Sequence, residues 1–145
     1  MSVEAVNSLK ISRTIHADRQ AAWDAWTCPE HVKKWSCPEP GGVRAFEADF
    51  RVGGAYTLTM EVEGKRHTAF GVYRLIDPPR RLVYTWDWRE EEFRVGETVI
   101  TVEFEEQDGA TVVTLTHEGF PAEEAKQGHL DGWTACMAHF EALFA

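Results

Sequence analysis

The chain has 145 residues, 43% apolar and 27% charged, so it is expected to form a single globular domain over 1–145 rather than a disordered segment. Its net charge of −9 opposes binding to nucleic-acid phosphates, and no stretch reaches the roughly 20 apolar residues of a membrane span. Residues 1–6 lack the basic and apolar runs of a signal peptide, and the three cysteines suit reduced thiols, so a cytoplasmic location is expected.

In chain order, Leu9–Ile15 reads as a first strand with Leu9, Ile11, Arg13 and Ile15 on one face. Asp18 is placed to cap a short helix through Trp26, whose Ala22, Trp23 and Trp26 fall at helical spacing. Cys28-Pro29 ends that helix, and Pro29 starts a second one through Lys34. Pro38, Pro40, Gly41 and Gly42 mark a loop. Strands are then predicted within Val43–Phe50 and over Ala55–Val62, Arg66–Ile76, Leu82–Trp88, Thr98–Phe104 and Thr111–His117. The clearest alternation is Tyr56, Leu58, Met60 and Val62 against Thr57, Thr59 and Glu61. Asp77-Pro78-Pro79 and Asp108-Gly109 punctuate the run. Pro121–Ala145 reads as one amphipathic helix with Trp133, Met137, Phe140 and Phe144 in a stripe. Gly132 inside it costs about 1 kcal/mol relative to alanine, which points to close packing or a bend.

The economical packing of these elements lays the long helix on the apolar face of an antiparallel sheet, an α+β domain. A curved sheet around one helix leaves room for a pocket lined by aromatic side chains and methionine.

The chemistry-bearing residues are sparse. His117 shares a face with Val113 and Leu115 and reads either as a base or ligand-orienting donor, or as a structural histidine bonded to backbone. Cys28, Cys37 and Cys136 lack metal-site spacing, and Cys37 is the best candidate for a reactive thiol. His129 and His139 are too far apart in sequence to share a metal on one helix turn. No catalytic residue, metal or cofactor is assigned. Arg13 needs a partner, for which Glu47 or Asp49 is expected. Between Asp87 and Asp108 nine acids face two arginines, either a solvated hairpin or a docking surface for a basic partner.

Several segments resemble a known family. Ile15-His16-Ala17-Asp18, Ala22-Trp23-Asp24-Ala25-Trp26, Cys28-Pro29-Glu30-His31 and Trp35-Ser36-Cys37-Pro38 look like the opening of the Hsp90-ATPase-activator-homologue-like proteins. These belong to the START-like, Bet v 1-like superfamily. The resemblance continues through Gly53-Gly54-Ala55-Tyr56, Gly71-Val72-Tyr73, Asp77-Pro78-Pro79-Arg80-Arg81-Leu82 and Thr114-Leu115-Thr116-His117-Glu118-Gly119-Phe120, then Gly132-Trp133. It implies the helix-grip fold, with a curved antiparallel sheet wrapped around a long C-terminal helix and two short helices after the first strand. It also places Trp35-Ser36-Cys37-Pro38, often Trp-Trp-Gly-Pro in the family, over the pocket mouth.

The reading that follows is a non-catalytic domain holding a small hydrophobic or aromatic molecule between sheet and helix. Its expected ligand residues are Trp26, Trp35, Tyr56, Leu58, Met60, Tyr84, Trp86, Val102, His117, Trp133, Met137 and Phe140. The alternatives are a co-chaperone-like module working through the acidic Glu90–Glu106 segment and a cyclase- or hydrolase-like enzyme with His117 as base. A monomer or homodimer is expected.

Overall fold

The computed structural model describes residues 7–145. Seven strands form one antiparallel sheet: β1 (Ser8–Ile15), β2 (Val43–Ala48), β3 (Ala55–Val62), β4 (Lys65–Asp77), β5 (Arg81–Trp88), β6 (Thr98–Gln107) and β7 (Ala110–Glu118). Two short helices, α1 (Arg19–Thr27) and α2 (Pro29–Trp35), follow β1, and α3 (Glu123–Ala142) ends the fold. Among the described residues, no helix is long and apolar enough to cross a membrane.

The strand order is β1-β7-β6-β5-β4-β3-β2. Strands 2 to 7 are therefore a meander of hairpins, and β1 returns to pair with the last of them. The two short helices carry the chain from one edge of the sheet to the other. This arrangement corrects the expected partner of Arg13. β1 and β2 lie on opposite edges, so Glu47 and Asp49 are out of reach, and Arg13 Nε instead meets Glu141 on α3 at 3.8 Å.

Local chemistry explains the elements. Asp18 accepts a bond from the Ala21 backbone N–H at 2.8 Å, satisfying a first-turn donor of α1. Cys28 then accepts the first N–H groups of α2, with Pro29 at the start where its missing donor costs nothing. β2 falls within the predicted Val43–Phe50 and stops at Ala48, because the chain turns at Asp49–Gly54. β4 is kinked by a register shift between Tyr73 and Leu75. Gly71 just before it lies against the Thr85 carbonyl, which a Cβ would overlap. Thr85 Oγ1 accepts the neighbouring Val72 N–H at 2.9 Å.

The core lies between the concave face of the sheet and α3. Leu82, Ile100, Val102, Val113 and Leu115 supply the sheet side, and Met137 and Phe140 the helix side, all at most 1% exposed. Trp26 on α1 fills the middle, with ring centroids 4.4 Å from Trp35, 5.2 Å from Phe140 and 6.3 Å from Trp133. Gly132 is not wedged against backbone as its cost in a helix suggested. A Cβ there would meet Pro38 at an ordinary 3.7 Å.

Candidate functional site

The core packing does not extend along the whole of α3. Beside the N-terminal half of the helix the sheet and helix diverge around a cavity of about 700 Å³, within the range of small-molecule sites. Its floor is Met60 and Val62 of β3 with Trp86 and Trp88 of β5. Its helix wall is Ala125, Gly128, His129, Gly132 and Cys136, spaced so that they share one face. Gly128 and Gly132 present no side chain there, and a Cβ on Gly128 would meet nothing within 4 Å. Ser36 and Pro38 close one side. Opposite them, the β5–β6 connection folds over the opening and contributes Phe93, Arg94 and Val95.

That connection is held in place by acids. Asp87 Oδ1 accepts the N–H groups of Trp88 and Val95 at 2.8 and 3.0 Å. Glu90 accepts the Thr68 N–H at 2.6 Å, which keeps its carboxyl below the usual range despite the opposing effect of burial. Arg94 donates to the carbonyls of Trp88 and Arg89. Phe93, in a 3₁₀ turn at Glu91–Phe93, stacks on His67 with centroids 3.9 Å apart.

Two histidines border this region, and both have their ring nitrogens engaged. Trp133 Nε1–H donates to His117 Nδ1 at 3.0 Å. His117 Nε2 must then carry the proton, which it gives to Thr98 Oγ1 at 2.7 Å. The Thr98 hydroxyl donates in turn to the Trp86 carbonyl at 2.6 Å. His129 has the opposite tautomer: Trp88 Nε1–H donates to its Nε2 at 3.0 Å, and its Nδ1–H bonds the Ala125 carbonyl at 2.7 Å. Burial, and for His117 the adjacent His129, push the pKa of His117 well below its usual value. Burial also lowers that of His129, partly opposed by the Ala125 carbonyl and Asp87. Neither ring has a free lone pair with which to take a substrate proton. The buried Trp86 indole N–H is different, having no protein acceptor.

The described residues include no group of three or more His, Cys, Asp or Glu side chains able to hold a metal ion. Burial raises the thiol pKa values of Cys37 and Cys136. Cys37, the expected reactive thiol, is 3% exposed and packed under the loop at Gly42. It is part of the core.

Residues 16–145 match the model of a family described as Activator of Hsp90 ATPase homolog 1-like protein. The chain belongs to that family. No curated protein matches it. Among solved structures, it resembles an AHSA1 protein from Silicibacter pomeroyi at 25% identity and TM-score 0.80, covering 93% of this chain and 95% of that one. A protein from Chromobacterium violaceum matches at 24% identity and TM-score 0.81, over 95% and 97% of the two chains. CalU16 from Micromonospora echinospora matches at 23% and 0.69, over 94% and 74%. These likenesses establish the helix-grip fold.

Within this Hsp90-activator-homologue fold the twelve residues expected to bind a ligand fall into three groups. Met60, Trp86 and Trp133 line the large cavity. Trp26, Trp35, Tyr56, Leu58 and Tyr84, again with Trp86 and Trp133, surround a separate void of about 40 Å³, room for little more than one water. Their polar groups are mostly spent internally: Trp35 Nε1–H on Ala25, Tyr56 Oη–H on Thr85 and Trp26 Nε1–H on Tyr84. Val102, His117, Met137 and Phe140 line neither space. Residues that sequence reasoning passed over, namely Trp88, Phe93, Val95, Gly128 and His129, complete the cavity. The visible signal was the Gly128–Gly132 pair, which bares one helix face one turn apart.

The acidic stretch of this family member is likewise not one surface. Glu92 faces Lys65 at 3.8 Å and Glu97 bonds Arg74 at 2.8 Å. Glu106 lies at the far end of the ten-residue β6, roughly 30 Å from Glu97, where its carboxylate accepts the Arg19 N–H.

Proposed function

We propose that this protein binds a small, flat, largely apolar organic molecule in the cavity between β3, β5, the β5–β6 connection and the first half of α3. The observation that carries the reading is the cavity of about 700 Å³ walled by Trp86, Trp88, Trp133 and Phe93. Side chains could have filled that volume, and two glycines on the facing helix leave it open. The engaged ring nitrogens of His117 and His129 and the buried thiols of Cys37 and Cys136 support binding over catalysis. The acids of residues 90–106, divided between opposite ends of the sheet and largely paired within the fold, give less support to a docking role.

The test is titration with Nile red, an uncharged dye that brightens in apolar surroundings, alongside native mass spectrometry of freshly purified protein. The expected result is saturable, one-to-one enhancement, and any copurified molecule lost on denaturation competes with the dye. Absence of saturable binding by Nile red would overturn the reading.

A further inference from the structure

The charges around the cavity narrow the class of molecule it takes. Four of its lining residues are carboxylates from three separate elements: Glu63 in the β3–β4 turn, Glu92 in the 3₁₀ turn, and Glu124 and Asp131 on α3. The guanidinium of Arg94 is the single lysine or arginine head group among the lining residues, and it is already donating to two carbonyls. Glu92 is partly offset by Lys65. The N-terminus of α3 would favour an anion, but Glu123 and Glu124 occupy its first turn. His129 contributes no positive charge while its Nε2 accepts from Trp88. Behind these carboxylates the walls are the rings of Trp86, Trp88, Trp133 and Phe93, a side-chain type whose faces attract cations through the ring quadrupole.

Taken together, the geometry points to an aromatic organic cation as the ligand: a flat ring in the cavity and a protonated amine at the mouth. This rests on the cavity reading of the preceding subsection and adds the charge. A carboxylate ligand of the same shape would bring a further negative charge to a mouth already rich in them.

Three probes with one body and one ether oxygen separate the terms: 2-(2-naphthyloxy)ethylamine, 2-(2-naphthyloxy)ethanol and (2-naphthyloxy)acetate, titrated calorimetrically at pH 7 and low salt. The amine is expected to bind at least about threefold more tightly than the alcohol, and the acid at least about threefold more weakly, as a few partly screened charges predict. Added salt should narrow this spread without weakening the alcohol. The exposed pair Glu124→Gln and Asp131→Asn should lower the amine's advantage over the alcohol while leaving the alcohol's affinity in place. Equal affinities, tighter binding of the acid, an unchanged ratio in the double variant, or no binding by any of the three while Nile red binds would each overturn the charge selection alone. Failure of Nile red as well would overturn the cavity reading beneath it.

Discussion

Trp133 donates its indole N–H to His117 and also lines the cavity, and so joins the packed and open parts of the molecule. Replacing it with phenylalanine leaves His117 Nδ1 buried without a donor, at a cost of about 1–3 kcal/mol, readable as a lower urea midpoint. The two histidines also fix a pH dependence. Their folded pKa values lie below the unfolded value of about 6.5, so the unfolded chain binds more protons in acid. Their contribution is complete above about pH 6.5 and is lost as pH falls below it, by up to about 1.4 kcal/mol per pH unit for each proton taken up. Urea midpoints from pH 7.5 to 5 should be flat and then fall, while imidazole nitrogen shifts hold His117 in the Nε2–H form throughout. A His117 titrating near 6.5 in the folded protein would contradict this. The alternation of Val113, Leu115 and His117 made the histidine's inward direction legible. Its partners were not, because Thr98 and Trp133 reach it only through the β6–β7 register and the docking of α3.

At the scale of elements, α3 carries two adjacent stripes with opposite tasks. Trp133, Met137 and Phe140 pack, with Phe144 joining them from the turn just past the helix end, and this stripe was readable from spacing alone. Ala125, Gly128, Gly132 and Cys136 face the cavity, and in the sequence only the two glycines set this stripe apart, as weak helix formers. Gly128→Leu should therefore raise stability by roughly 0.5–1 kcal/mol through helix propensity while abolishing Nile red binding, an uncommon pairing that steric filling of the cavity explains. Urea denaturation and dye titration of the same sample would check it; lost stability or retained binding would count against the assignment. Asp18→Ala should cost about 1 kcal/mol by uncapping α1. The β5–β6 connection was hidden for a different reason. Its acids dominate the pattern of residues 87–97, yet Asp87 and Glu90 bond backbone N–H groups and turn Phe93 and Val95 over the opening.

Across the whole molecule, the hairpin order and the long final helix sufficed to predict an α+β domain with the helix on an antiparallel sheet, because each strand pairs with its sequence neighbour and only β1 pairs at long range; the helix-grip form was what the family resemblance implied. The position of the pocket did not follow from that order. Aromatic residues were expected to supply both core and pocket lining; many of them close on one another around Trp26, and the open volume lies toward the N-terminal end of α3. Which half of a helix–sheet interface fills depends on side-chain volume and strand divergence, and neither is a periodic signal.

The most direct test is a nitrogen–proton correlation spectrum of the protein titrated with 2-(2-naphthyloxy)ethanol. The chain has six tryptophans, so six indole signals report on distinct places. The account predicts that the indoles of Trp86, Trp88 and Trp133 and the backbone amides of Gly128 and Gly132 shift saturably, while the indole of Trp35 moves least among the buried set. Shifts centred on Trp26 and Trp35, or none at all with this probe and with Nile red alike, would contradict it.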